Sequence, residues 1–172
     1  MAIHLSGKER VLDDSDLIVT KTDTRGIITY ANHTFLHFAG YSLRKVIGAP
    51  HNIVRHPHMP RCVFRLLWET LGNGDEVFAY VLNLAANGDH YWVFAHVTPS
   101  FGPGGETIGF HSNRRSIERP VLNHVIIPLY QRLSDEESRY ANAKDGMAAS
   151  TRLLSDTLAG LGQSYDQFIF SL

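Results

Sequence analysis

Two strand-forming segments joined by a tight turn constrain the fold of this chain more than any other feature. Glu76–Ala85 and His90–Pro99 are rich in valine and aromatic residues, and Ala86-Asn87-Gly88-Asp89 lies between them. Asn-Gly in a short connection predicts an antiparallel hairpin, because both residues accept the positive φ that the turn needs. Glu106–Ser116 follows a Gly-Pro-Gly-Gly turn and extends the hairpin to a three-stranded meander.

The N-terminal half predicts a second hairpin followed by short helices. Asp16–Thr22 and Ile27–Tyr30 are the strand segments, with turn residues between them. Asn32 is placed to cap a helix, and Pro60 can open a longer helix that runs to about Leu71. Pattern alone leaves this as one α+β arrangement among several.

The last fifty residues differ in composition from the rest and predict helices. Val121–Leu133 has a helical pattern that Pro128 interrupts, and Asp135–Leu161 reads as one amphipathic helix. The tail Tyr165–Leu172 is apolar, which predicts a surface for a homodimer or a signalling partner, or else a segment that folds back. The predicted domains are an N-terminal cap or leader (1–15), a central domain (16–119) and a C-terminal helical extension (120–172).

Composition and motifs exclude several classes of function. The net charge of -1 offers no field that would gather nucleic acid. No secretory signal and no membrane-length apolar stretch is visible, so a cytoplasmic domain without a membrane span is expected. The motifs G-x-S-x-G, the phosphate loop and the dinucleotide fingerprint are missing, so the chain is not expected to be an enzyme.

Three motifs occur in a fixed order along the chain. They are ITYANHTFLHFAG (28–40), PHNIVRHPHMP (50–60) and NGDHYWV (87–93). Together they resemble the FAD-binding PAS domain of bacterial aerotaxis receptors. The resemblance implies a PAS fold, which is a five-stranded antiparallel sheet with short helices on one face, here with a C-terminal helical extension.

The resemblance also implies a function. FAD would be held non-covalently between the sheet and the helices. The domain would report redox, oxygen or energy status to a chemotaxis or kinase-type partner. The residues implied at the cofactor are Asn32, His51, Asn52, Arg55, His56, His58, Trp68 and Asn83.

Each of these residues has an ordinary structural explanation beside the functional one. Arginine suits phosphate oxygens, but Arg55 in a loop can equally form a surface ion pair. Trp68 can be a pocket wall or plain core packing, and Asn32 can be only a helix cap. Asn83 shares a strand face with valines and alanine, so its amide needs a partner if it is buried.

His58 departs from the family motif, which has aspartate at that position. The change puts the identity of the cofactor in question. Haem is one alternative, with an axial ligand among His56, His58, His96 and His111, although their spacing is not a metal signature. A PAS interaction module without a cofactor is the other alternative.

Overall fold

A computed structural model describes residues 3–172 and contains one five-stranded sheet. The strand order is β2-β1-β5-β4-β3, and every neighbouring pair is antiparallel. The strands are β1 (Ile18–Thr22), β2 (Ile28–Ala31), β3 (Val77–Leu84), β4 (His90–Phe101) and β5 (Thr107–Arg115). Both predicted hairpins and the meander are present, so the predicted fold class is confirmed.

Short helices connect the two hairpins, and longer helices follow the sheet. The helices are α1 (His33–Ala39), α2 (Leu43–Val46), α3 (Arg61–Gly72), α4 (Arg119–Val121), α5 (Ile127–Ser138), α6 (Ala143–Leu161) and α7 (Tyr165–Phe170). A 3-10 turn occupies His51–Val54, and a π-helical turn joins α4 to α5 at Leu122–Ile126.

The β3–β4 hairpin closes as its turn residues predict. Gly88 has a φ of 91°, and the Asn87 side chain accepts from the backbone N–H of Asp89. The resulting register pairs Asn83 with Tyr91 and Val81 with Val93. Directly opposed residues point to the same side of a sheet, so this register sets which side chains reach the inner face.

The inner face of the sheet carries the site, because α1, α3 and the segment between them cover it. Phe35 of α1, Val63 of α3 and Val93 of β4 are fully buried there. The outer face carries the alternate residues of β3 and β4, including Tyr80 and Trp92. Tyr91 and Trp92 lie on opposite faces, as predicted.

The C-terminal extension packs back on the rest of the chain, but its helices differ from the prediction. Pro128 does not end the helix, because it lies just after the π-helical turn Leu122–Ile126 and the helix continues as α5. The predicted single helix 135–161 is broken between Ser138 and Ala143, and Asn142 caps α6.

Helices of the extension cover the outer face of the sheet and reach α3. The Tyr130 hydroxyl donates to the carbonyl of Tyr80, at 2.7 Å. The ring of Phe170 meets the ring of Phe78 edge-on at 4.8 Å, and α6 packs on α5 and α3. The predicted apolar tail thus contacts β3 of its own chain.

The N-terminal segment pairs with the start of β4. Lys8 and Arg10 exchange backbone hydrogen bonds with His90, and the Arg10 guanidinium pairs with Asp89. Residues 1 and 2 of the predicted cap lie outside the described residues. No helix within residues 3–172 combines the length and apolar character that crossing a membrane needs.

Candidate functional site

A cavity of about 530 Å³ lies between the inner face of the sheet and α3. This volume is within the range of small-molecule and cofactor sites. Its apolar walls come from the sheet, from α3 and from the 3-10 turn before α3, together with one residue of α6. They include Val54, Phe64, Leu67, Trp68, Leu71, Val81, Val97, Phe110 and Met147.

Four polar side chains of the cavity wall hold buried atoms without a hydrogen-bond partner within residues 3–172. These atoms are Thr22 Oγ1, Asn83 Nδ2, Ser112 Oγ and Arg114 Nη1. Buried polar atoms are normally satisfied, and leaving one unpaired costs about 1–3 kcal/mol. A group of them around one cavity therefore indicates a ligand with complementary polar atoms.

Arg114 is the strongest of these features, because it is a buried cation whose partners include no carboxylate. Its side chain comes from β5 and the residue is 5% exposed. One Nη atom donates to Thr20 Oγ1 at 2.9 Å and to His51 Nε2 at 2.6 Å. Burial lowers the pKa of Arg114 to about 10, so the guanidinium stays charged at neutral pH. Its other Nη atom is buried and has no hydrogen-bond partner among residues 3–172, and the residue lines the cavity.

His51 is a neutral acceptor for Arg114. Burial, and next the charge of Arg114, lower the pKa of His51 to about 3. An arginine has only donors, so the short contact requires a lone pair on His51 Nε2. His51 thereby orients the guanidinium without neutralising it.

The opening of the cavity is rich in arginine. Arg25, Arg55, Arg61 and Arg65 line it, and Trp68 lies among them with 45% of the residue exposed. Burial, and next the charge of Arg61, lower the pKa of Arg55. Its guanidinium lies over the ring of Phe64, at 4.7 Å from the centroid. Such an opening suits an anion such as a phosphate.

Five of the eight predicted site residues line this cavity. The strand β3 brings Asn83 there, buried with 4% exposed, and α3 brings Trp68, which meets Phe110 edge-on at 5.5 Å. The segment between α2 and α3 brings His51, Asn52 and Arg55. Their contact with a cofactor stays a prediction.

The other three predicted residues lie away from the cavity wall. Asn32 uses its side chain structurally, because its oxygen accepts from Val19 N and Phe35 N and its amide donates to the Leu17 carbonyl. His56 is buried, with its ring against the rings of His58 and His90. Its Nδ1 accepts from the backbone N–H of His58, whose side chain is exposed.

Sequence reasoning missed Arg114, Ser112 and Met147. Arg114 and Ser112 alternate with Phe110 on β5, so the two-residue period placed all three on one face. The signal in the sequence was that Arg114 shares a strand face with Phe110, which places a basic side chain on an apolar face. Met147 had no such signal, because it reaches the cavity only through the packing of α6.

The cavity combines buried polar groups, apolar and aromatic side chains and several exposed arginines, a lining that suits an organic ligand with an anionic group. The described residues include no group of three metal-ligating side chains. A five-stranded antiparallel sheet with short helices over one face is the arrangement of PAS-type domains. A family model for the PAS fold matches residues 28–113, which is half of the chain, and the chain belongs to this family.

Comparison with individual proteins agrees with this assignment. The chain is 39% identical over 132 residues to the aerotaxis receptor of Escherichia coli (strain K12), covering 76% of this chain and 26% of the receptor. The chain thus spans about a quarter of that relative. The light-state structure of the blue-light photoreceptor Aureochrome1 LOV has a TM-score of 0.57 at 20% identity, over 64% of this chain and 89% of that one.

A second solved structure has the same fold. It is a light-oxygen-voltage domain whose mechanism was studied with a flavin analogue. Its TM-score is 0.57 at 16% identity, over 65% of this chain and 84% of that one. At these identities the two structures support the fold alone.

Proposed function

We propose that this chain is a non-enzymatic PAS sensor that binds FAD non-covalently and signals redox or energy status to a protein partner. The observation that carries the proposal is the charged Arg114 guanidinium. It faces an aromatic-walled cavity beside the unpaired polar atoms of Asn83, Ser112 and Thr22. The 39% identity to an aerotaxis receptor supports it.

The residues present fit a flavin. The flavin ring has an apolar body and a polar edge with both donors and acceptors, and it supplies redox chemistry when bound. Arg114 would donate to that edge, while the Asn83 amide can donate or accept. Trp68, Phe64 and Leu71 would exclude water around the ring.

The arginine-lined opening favours a flavin that carries phosphate, such as FAD, over riboflavin. Arg55, Arg61 and Arg65 lie at the opening, where a pyrophosphate would extend from the ring. A guanidinium can pair with two phosphate oxygens at once. Riboflavin lacks phosphate altogether, so we expect FAD to bind more tightly than riboflavin.

The alternative with haem has less support from the geometry. None of His56, His58, His96 and His111 lines the cavity, and the one histidine of its wall, His51, uses Nε2 as the acceptor for Arg114. A PAS module without a cofactor would need water to satisfy the cluster of unpaired buried polar atoms.

The decisive experiment compares flavin uptake by the full chain and by two neighbouring arginine variants. Arg114→Met removes the buried donor and keeps much of the side-chain volume. Arg115→Met changes the next residue of β5, which is exposed. We expect the full chain and Arg115→Met to bind added FAD with the absorption spectrum of an oxidised flavin.

Arg114→Met is expected to lose affinity about 10- to 100-fold, because a hydrogen bond to a charged group contributes about 1.5–3 kcal/mol. Titration of flavin fluorescence gives the dissociation constant for each chain. A full chain that takes up no FAD would overturn the proposal. Equal affinity in all three chains would show that flavin binds elsewhere.

A further inference from the structure

We propose that the C-terminal extension is part of the flavin site, so that the cofactor and the docked α6 helix stabilise each other. This inference rests on the proposed function and adds a direct coupling to it. The extension lies outside the segment that the PAS family model matches, residues 28–113. Three contacts carry the inference.

The first contact is Met147, which comes from α6 and forms part of the cavity wall together with Phe64 and Arg61 of α3. It is the contribution of the extension to that wall. A methionine adapts its shape to what it packs against and makes favourable contacts with aromatic rings. An aromatic ligand in the cavity would therefore touch the extension itself.

The second contact is a carboxylate of the extension at the beginning of α3. Pro60 precedes α3 and gives it no side-chain cap. Glu137 Oε1 instead accepts from the backbone N–H groups of Arg61 at 2.7 Å and Cys62 at 3.1 Å. Ser150 of α6 donates to the same oxygen at 2.8 Å.

Glu137 Oε1 therefore links three helices: α5, which carries it, and α3 and α6, which donate to it. A carboxylate at a helix N-terminus is stabilised by free N–H groups and by the helix dipole. Glu137 thus fixes the position of α3, whose Phe64 and Trp68 line the cavity. Movement of the α5–α6 pair would move this wall.

The third contact is the close approach of α6 to α5 at Gly146, directly before Met147. A Cβ at Gly146 would lie 2.5 Å from the Glu137 carbonyl oxygen and 3.2 Å from its Cα. Only glycine allows this separation. Gly160, near the other end of α6, has no atom within 4 Å of an added Cβ. The two glycines provide a matched pair for an experiment.

Coupling between ligand and extension follows from these contacts. A ligand that touches Met147 binds more tightly to the docked state than to a state with α6 detached. By reciprocity, binding must then favour the docked state by the same factor. Loss of the cofactor contact would loosen α6, which offers a signal to a partner.

The experiment compares Gly146→Ala with Gly160→Ala, since alanine raises helix propensity similarly at both positions. FAD affinity is measured by fluorescence titration, and hydrogen exchange of the α6 amides is measured with and without FAD. We expect Gly146→Ala to speed exchange in α6 and to weaken FAD binding about tenfold or more. Gly160→Ala should not speed exchange in α6 and should bind FAD as tightly as the unchanged chain, and FAD should slow α6 exchange in Gly160→Ala and in the unchanged chain.

A second pair of variants tests the contact between Met147 and the ligand without changing the distance between α5 and α6. Met147→Ala should weaken FAD binding about fivefold and reduce the protection of α6 from exchange by FAD. Met147→Leu nearly conserves the side-chain volume and should keep both the affinity and the protection of the unchanged chain. Unchanged affinity in Met147→Ala, or FAD that leaves α6 exchange unaltered, would overturn the inference while the proposed function stands. A full chain that binds no FAD would overturn both.

Discussion

Burial lowers the pKa of two basic side chains, Arg114 and His56, yet Arg114 stays charged at pH 7 and His56 is neutral. Burial disfavours the charged form of a basic group and lowers its pKa. Arg114 falls only to about 10 and stays a cation, whereas His56 falls to about 4 and is neutral at pH 7. The charge kept in the interior is therefore the one that faces the cavity, where a ligand can balance it.

The neutral His56 predicts an acid-sensitive fold. Burial, followed by the charges of His58 and His90, lowers its pKa to about 4, against 6.5 as the ordinary value. Below pH 6.5 the unfolded chain binds a proton that the folded chain does not. Stability is then present above pH 6.5 and is lost as the pH falls toward 4. Between pH 7 and 5 this residue should account for about 1–2 kcal/mol.

Denaturant unfolding of three chains at pH 7 and pH 5 checks this. His56→Asn keeps an acceptor for the His58 N–H but has no titrating ring, so it should lose less stability on acidification than the unchanged chain. His33→Asn alters an exposed histidine and should behave as the unchanged chain. An equal loss of stability in all three chains would contradict the assignment to His56.

The helix α3 joins two parts of the molecule. One side of it carries Phe64, Leu67 and Trp68 toward the cavity, and its first turn depends on Glu137 from the extension. Because Pro60 supplies no cap, the free N–H groups of this turn are satisfied from a distant part of the chain.

Removal of the Glu137 carboxylate should therefore destabilise the protein more than an ordinary surface change. Glu137→Ala leaves two backbone N–H groups and the Ser150 hydroxyl without this acceptor, and we expect a cost of about 1–3 kcal/mol. Glu137→Gln keeps an oxygen acceptor and should cost less. Glu136→Ala removes the surface pair with Arg139 and a long hydrogen bond from the Tyr140 hydroxyl, at 3.5 Å, which together should matter by about 0.5 kcal/mol or less.

Urea unfolding of the three variants measures these differences. Hydrogen exchange of the Arg61 and Cys62 amides localises the effect, since these are the groups that lose their acceptor. Equal stability of Glu137→Ala and Glu136→Ala would show that the first turn of α3 does not depend on the extension.

At the scale of elements, local signals sufficed where the chain contacts its near neighbours. The Asn87-Gly88 turn, the Asn32 cap and the two-residue period of β3 each predicted the observed structure, because a turn, a cap and a strand face are decided within a few residues. The break between α5 and α6 was missed, since nothing in the composition of residues 135–161 interrupts the helical pattern.

The residues of the candidate site likewise include some that local patterns predicted and some that they did not. Asn83 and Trp68 follow from strand and helix periodicity, and both line the cavity. His56 and Asn32 belong to the same motifs, yet their side chains complete backbone hydrogen bonds instead. Met147 is 75 residues from the end of α3 at Gly72, and only tertiary packing brings the two together. No local pattern carries that information.

At the scale of the whole molecule, the sheet is apolar on both faces and each face has its own cover. The short helices enclose the cavity on the inner face. On the outer face a row of aromatic side chains, including Phe78, Tyr80 and Trp92, meets the extension. Phe168 and Ile169 of α7 are buried in this contact region with 8% and 4% of each residue exposed.

This arrangement predicts that the apolar tail belongs to the fold of its own chain. Deletion of residues 163–172 removes Phe168 and Ile169 and uncovers Phe78. Since burying one such side chain contributes about 1.5–3 kcal/mol, we expect a stability loss of about 3–5 kcal/mol in urea unfolding. The uncovered aromatic surface should also raise self-association above that of the full chain, measured by light scattering.

Leu161→Ser is the matched control, because Leu161 lies just before the deleted segment and is 56% exposed. It should leave both stability and mass in solution near those of the full chain. If deletion lowers the mass in solution, the tail instead holds two copies together. If stability and mass both stay unchanged, the contact of α7 with β3 contributes nothing to the fold, and the outer face of the sheet depends on α5 alone.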